Sequence, residues 1–193
     1  MPAWTGDDAR AQITLTDMLH MSSGLEFIED YADPTSDVSR MLFMSRDMGV
    51  AAAQSPAIHP AGDVWDYSSG TSNIIAAILR RAVEGAGEDF QLYPYRHLFG
   101  PLGMQSPVFE TDPGGTIIGS SYLYASPQDW ARLGQLYLQN GEWNGRQIIP
   151  ASTISFASTP ANPGKIDYYG GHWWLNASDE TLTGFPRGAY YMG

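Results

Sequence analysis

The chain has no cysteine among its 193 residues, which excludes disulfides, thiolate metal sites and a cysteine nucleophile. Lysine is nearly as scarce. Lys165 is the only one, and the residue three before it is Asn162, so no Ser-x-x-Lys is spelled. Ile166 and Asp167 follow it, so there is no Lys-Thr-Gly either. A lysine-activated serine is therefore absent from these residues. Gly-x-Ser-x-Gly is missing too, which argues against a nucleophile elbow. The four histidines, His20, His59, His97 and His172, lie far apart with none in ligand spacing. No metal and no cofactor is expected. Positive charge is short as well: 10 Lys and Arg stand against 21 Asp and Glu, a formal charge of -11. Such a surface repels phosphate backbones and anionic lipid, so nucleic-acid and membrane partners are not expected. No run approaches the roughly 18 apolar residues of a membrane span. Met1 to Arg10 has neither the basic nor the apolar region of a signal peptide. A chain without cysteine is compatible with cytoplasm or periplasm, and the compartment stays open.

What is present is a globular composition, 43% hydrophobic and 12% aromatic, with Trp, Tyr and Phe spread along the chain. Thr14 reads as an N-cap with Asp17 three residues on, predicting a helix from about Leu15 to Ser22 with Gly24 as its left-handed stop. The acidic stretch Glu26 to Asp37 has no sustained period and reads as a solvated loop. Its carboxylates lack the spacing of a calcium loop. Ser36 caps a helix through Val38, Met41 and Leu42, and another turn or two covers Asp47 to Gln54. From Gly70, the residues Ile74, Ile75, Ile78, Leu79 and Ala82 recur at helical spacing and end near Gly85. Tyr67, Ser68 and Ser69 thus fall at a helix N-terminus, where unpaired N–H groups favour a phenolate or a substrate carbonyl. Phe90 to Phe99 reads as helical despite Pro94, and Gly100 to Met104 as a turn. Ser126-Pro127 opens a helix by cap and N1 proline, running to Gly141. Gly141 to Gly145 is a turn, Ile148 to Pro150 a short extended piece, and Ser152 to Ser158 one more helix. Tyr168 to Asn176 reads as a strand, and Gly188 to Met192 begins another. The candidate boundary lies near Gly145.

Several of these segments resemble, in order, the serine β-lactamase and penicillin-binding superfamily, and above all its class C-like esterases and 6-aminohexanoate-dimer hydrolases. They are Ile13 to Leu25, Pro60-Ala61-Gly62-Asp63-Val64-Trp65-Asp66-Tyr67-Ser68-Ser69, Gly100-Pro101-Leu102-Gly103-Met104, Ser126-Pro127-Gln128-Asp129-Trp130-Ala131-Arg132 and Tyr169-Gly170-Gly171-His172-Trp173-Trp174-Leu175. The resemblance implies a mainly α fold with a few strands. It would be the helical subdomain of the β-lactamase/transpeptidase-like α/β fold, residues 1–145 with the Tyr-Ser-Ser motif. Residues 146–193 would form a partial α/β portion with an incomplete sheet. Tyr67 carries over as general base or acid, and Ser69 as a second catalytic residue, standing where asparagine is commonest in the family. Tyr31, in Glu29-Asp30-Tyr31-Ala32-Asp33-Pro34, resembles a tyrosine that closes over substrate in the amide hydrolases.

The nucleophile and third motifs of the family have no counterpart here, so the resemblance implies a fragment of a serine hydrolase, clipped at both ends. Its substrate would be a small ester or amide, β-lactam-like or an amino-acid oligomer, cleaved through an acyl-enzyme. The chain itself is expected to be inactive and to self-associate through an exposed sheet edge. With no lysine nearby in sequence, Tyr67 is expected to titrate as an ordinary phenol. The alternative is a non-catalytic ligand- or partner-binding member of the same fold. In that case Tyr67 is a buried aromatic, Ser69 a helix cap, Trp65, Trp173 and Trp174 core residues, and His172 a satisfied strand histidine.

Overall fold

The computed structural model describes residues 4–162, 164–176, 184–186 and 188–191. Helices dominate, and the strands come in three short antiparallel pairs. The first helix, α1 (Leu15–Leu19), starts with a reciprocal capping box: Thr14 Oγ1 accepts the Asp17 N–H at 3.1 Å and Asp17 Oδ2 accepts the Thr14 N–H at 2.8 Å. It ends earlier than its apolar stripe predicts, because Met21 already turns left-handed at φ 54°, ahead of Gly24 at φ 73°. Ser36 caps α2 (Asp37–Met44) and Asp47 caps α3 (Met48–Ala52), each by accepting a backbone N–H.

The long helix α4 (Ser69–Gly85) organises the rest. Ser68 Oγ accepts the Thr71 N–H at 3.1 Å and so caps it. Its opening turns are buried from Ser69 to Ile74, which requires small neighbours. A Cβ on Gly49 in α3 would lie 2.6 Å from both the Asn73 carbonyl oxygen and the Ala77 methyl, and a Cβ on Gly70 would lie 2.5 Å from the Phe27 ring. These two glycines let α3 and the 26–37 loop close onto α4. The resulting core joins Met18, Phe27, Val38, Met41, Met48 and Ile74.

Where a plain helix was predicted over Phe90 to Phe99, the chain forms a π-turn, Tyr95–Phe99, running into α5 (Gly100–Leu102). The Gly100 N–H reaches back to the Tyr95 carbonyl, one residue before Pro101, which has no N–H to continue a regular ladder. Strands β1 (Val108–Phe109) and β2 (Leu123–Tyr124) pair, and Ser126 then caps α6 (Pro127–Leu138). The turn predicted at Gly141 to Gly145 is a hairpin of β3 (Glu142–Trp143) with β4 (Arg146–Gln147), so Gly145 sits inside a paired unit. Helix α7 (Ala151–Ala157) follows.

The strand expected over Tyr168 to Asn176 is reduced to β5 (Trp174–Leu175), because Tyr169 bridges back to Trp174 within the same segment. β5 pairs with β6 (Tyr190–Tyr191); Met192, where the second strand was expected to end, lies outside the described residues. No helix among the described residues is long and apolar enough to cross a membrane. The tail is bound to the helical part, since the His172 N–H donates to the Leu19 carbonyl at 3.0 Å and the Gly171 N–H to the Ala157 carbonyl at 3.1 Å.

Candidate active site

Tyr67 enters its place along an extended approach. The Asp66 N–H donates to the Met21 carbonyl at 2.8 Å, fixing the backbone one residue before the phenol and two before the α4 cap. Its half-buried ring stacks on Trp174 at 5.5 Å and meets Tyr169 edge-on at 6.3 Å. Trp65 stands behind it, 5.2 Å from Tyr168, 5.6 Å from Tyr169 and 5.9 Å from Trp174. Aromatic residues from the tail therefore wall one side of Tyr67. The phenol oxygen makes no hydrogen bond to the described residues.

The other side is built by the acidic loop. Phe27 is buried against Gly70, and the Ile28 N–H donates to Asp37 Oδ2 at 2.8 Å. These two anchors carry Glu29 to the start of α4. There Glu29 Oε2 accepts the Ser69 backbone N–H at 2.9 Å, and Oε1 accepts both the Ser69 hydroxyl and, at 2.8 Å, the Tyr31 hydroxyl. The Tyr31 and Ser69 oxygens are 3.2 Å apart. Tyr31 and Ser69 are thus brought together by a residue that sequence reasoning left in a solvated loop. The signal available was the two-residue spacing of Glu29 and Tyr31, which in an extended segment puts both on one face.

The helix terminus is occupied, but by Glu29 and not by a phenolate. That changes the electrostatics of Tyr67. Burial, followed by the Glu29 charge, raises its phenol above the usual tyrosine range, so the ordinary titration expected from sequence is not what the fold provides. Tyr31 is likewise raised, mainly by burial. Burial chiefly, and Glu29 after it, raise the Asp66 carboxyl, against a smaller downward pull from His59. Ser69 is 3% exposed and Tyr31 61% exposed, so Tyr31 is the member of the pair that faces solvent. His172, read as a strand histidine, puts Nε2 3.3 Å from Ser72 Oγ one turn further along α4. No group of three or more potential metal ligands forms among the described residues.

Against solved structures, the chain is similar in fold to a Bacillus anthracis protein assigned as a 6-aminohexanoate-dimer hydrolase, with 23% identity and a TM-score of 0.71 over 88% of this chain and 49% of that one. It is similar to a Bacteroides dorei protein assigned as a β-lactamase, with 21% identity and a TM-score of 0.70 over 93% of this chain and 57% of that one. It is also similar to a penicillin-binding protein homologue from Caulobacter crescentus, with 18% identity and a TM-score of 0.66 over 96% and 62%. At these identities the likeness is one of fold, and the chain spans about half the length of the first two. No curated protein matches it. The β-lactamase family model matches residues 2–193, and with that the chain belongs to the β-lactamase family.

Proposed function

We propose that the chain carries the tyrosine limb of a serine hydrolase that cleaves a small ester or amide through an acyl-enzyme, its nucleophile lying outside these 193 residues. In this reaction a serine oxygen attacks the substrate carbonyl, the leaving alcohol or amine departs with a proton, and water later releases the acyl group. Tyr67 moves that proton as base or acid. Tyr31, exposed beside it, contacts the substrate. Ser69 contributes from below by fixing Glu29. The observation supporting this reading is the phenol of Tyr67, held rigidly by Trp174 and Tyr169 yet with its oxygen uncommitted, at the start of α4.

One observation favours a second reading, a non-catalytic member that binds a ligand or partner: burial and Glu29 both disfavour the phenolate that a base requires. Labelling the longest natural polypeptide that contains this chain with a serine-directed phosphonate, followed by peptide mass mapping, separates the two. The hydrolase reading expects one modified serine outside residues 1–193 and no ester turnover by residues 1–193 alone. Absence of labelling together with absence of ester turnover by the longer polypeptide supports the binding reading.

A further inference from the structure

Each hydroxyl has one proton to give, and a carboxylate only accepts. Glu29 Oε1 lies 2.8 Å from the Tyr31 oxygen and in contact with Ser69 Oγ. Both hydroxyl protons therefore point at Glu29, and the 3.2 Å Tyr31–Ser69 approach is a by-product of sharing one acceptor. With the Ser69 N–H on Oε2, three donors hold the carboxylate in a single orientation. The loop backbone is fixed independently, through Phe27 against Gly70 and through the Ile28 N–H. The ion pairs among the described residues do not involve Glu29. Among the described residues its charge is thus held in place and uncompensated by Arg or Lys, on Ser69, two positions after the residue assigned to proton transfer.

We propose that Glu29 is a positioning residue for Tyr67: it clamps the 26–37 loop onto the start of α4 and sets a fixed negative charge beside the phenol, so that Tyr67 enters the reaction as a proton donor. The inference rests on the hydrolase reading above and decides between the two roles left open there. Among the described residues, the titratable groups facing Tyr67 are Glu29 and Tyr31 from the loop and Tyr169 from the tail, with Asp66 adjacent in the chain. Of these, Glu29 is the one that raises the Tyr67 phenol by its charge. As the bond from the carbonyl carbon to the leaving oxygen or nitrogen breaks, Tyr67 gives that atom its proton, and in the same relay it takes the proton that the serine hydroxyl releases as the serine oxygen bonds to that carbon, so the phenol ends the step neutral.

Clamp and charge are separable by substitution. Glu29→Gln keeps the shape and an acceptor but removes the charge, whereas Glu29→Asp keeps the charge and shortens the reach. Ring-carbon NMR of labelled tyrosine, with the Tyr67 resonance identified by its loss in Tyr67→Phe, reads the phenol directly in this chain. The wild-type Tyr67 resonance is expected to titrate above free tyrosine, to move down in Glu29→Gln and to stay high in Glu29→Asp. No movement in Glu29→Gln, or equal movement in both variants, overturns the proposal. If Glu29→Gln does not fold, Tyr31→Phe replaces it, since it removes one clamp contact and no charge. Tyr67 should then titrate as in the wild type, and a downward shift overturns the proposal. A failure here leaves the hydrolase reading standing, because that reading fails on the kcat of Tyr67→Phe and not on this titration.

Discussion

The Glu29 carboxylate takes both donors of Ser69, accepting the backbone N–H on Oε2 at 2.9 Å and the hydroxyl on Oε1. A residue from an acidic loop thus completes the N-terminus of the central helix, where the dipole favours negative charge. Hydrogen bonds to a charged group are worth about 1.5–3 kcal/mol each in net terms, before solvent screening. Glu29→Ala should lower the unfolding free energy by about 1–3 kcal/mol, and Ser69→Ala, which keeps the N–H contact, by less. Urea unfolding of both variants checks this ordering; a Ser69→Ala loss equal to or above that of Glu29→Ala contradicts it.

Features written within four residues of sequence were legible. Thr14 with Asp17, Ser36 and Ser126-Pro127 cap helices where the spelling puts them, because a cap needs only its own side chain and a nearby N–H; the cap read at Ser69 falls one residue earlier, at Ser68, and Asp47, read as helical, is itself a cap. Tyr67 could be placed before α4 for the same reason. Glu29 could not be assigned, since its partner Ser69 lies 40 residues away and the one local cue, its two-residue spacing from Tyr31, does not point to that partner. The tail was overread as one strand because its aromatic run has strand composition, whereas its rings pack on Trp65 and Tyr67. That packing leaves two residues for the ladder with β6.

The contact between α3 and α4 tolerates no side chain at Gly49. An added Cβ would meet the Asn73 carbonyl oxygen at 2.6 Å, backbone that cannot turn aside, so Gly49→Ala should cost about 1–3 kcal/mol. Gly85, the last residue of α4, has nothing within 4 Å of its Cβ position. Gly85→Ala should therefore be neutral or stabilising by up to about 1 kcal/mol. Thermal unfolding of the two variants side by side tests the packing, and similar losses in both would contradict it.

His172 links stability to acid. Burial first, and His20 second, push it from 6.5 down to about 4. Between these values the unfolded chain holds a proton that the folded chain refuses, so stability is whole above about pH 6.5 and falls as the pH drops toward about 4. The upper bound on this contribution is about 3 kcal/mol. His172→Asn removes the titration and suits the left-handed backbone, φ 62°, at this position. Urea midpoints measured from pH 7.5 to 4 should slope less in the variant; parallel slopes would show that His172 is not the linked group.

Self-association is expected from surface as well as from strand edges. Phe43 and Met44, at the end of α2, are 76% and 77% exposed, and among the described residues each sheet is a single pair of strands with outer edges unpaired. Size exclusion with light scattering should show concentration-dependent association that Phe43→Ser together with Met44→Ser reduces. A monodisperse monomer at all concentrations would remove this expectation.

The most direct test of Tyr67 is a comparison of kcat on a nitrophenyl ester between the longest natural polypeptide that contains this chain and its Tyr67→Phe variant, with Tyr168→Phe as a control for aromatic packing. Loss of proton transfer predicts a fall of about 10²–10⁴-fold for Tyr67→Phe and little change for Tyr168→Phe. A Tyr67→Phe enzyme that turns over at the wild-type rate would contradict the account.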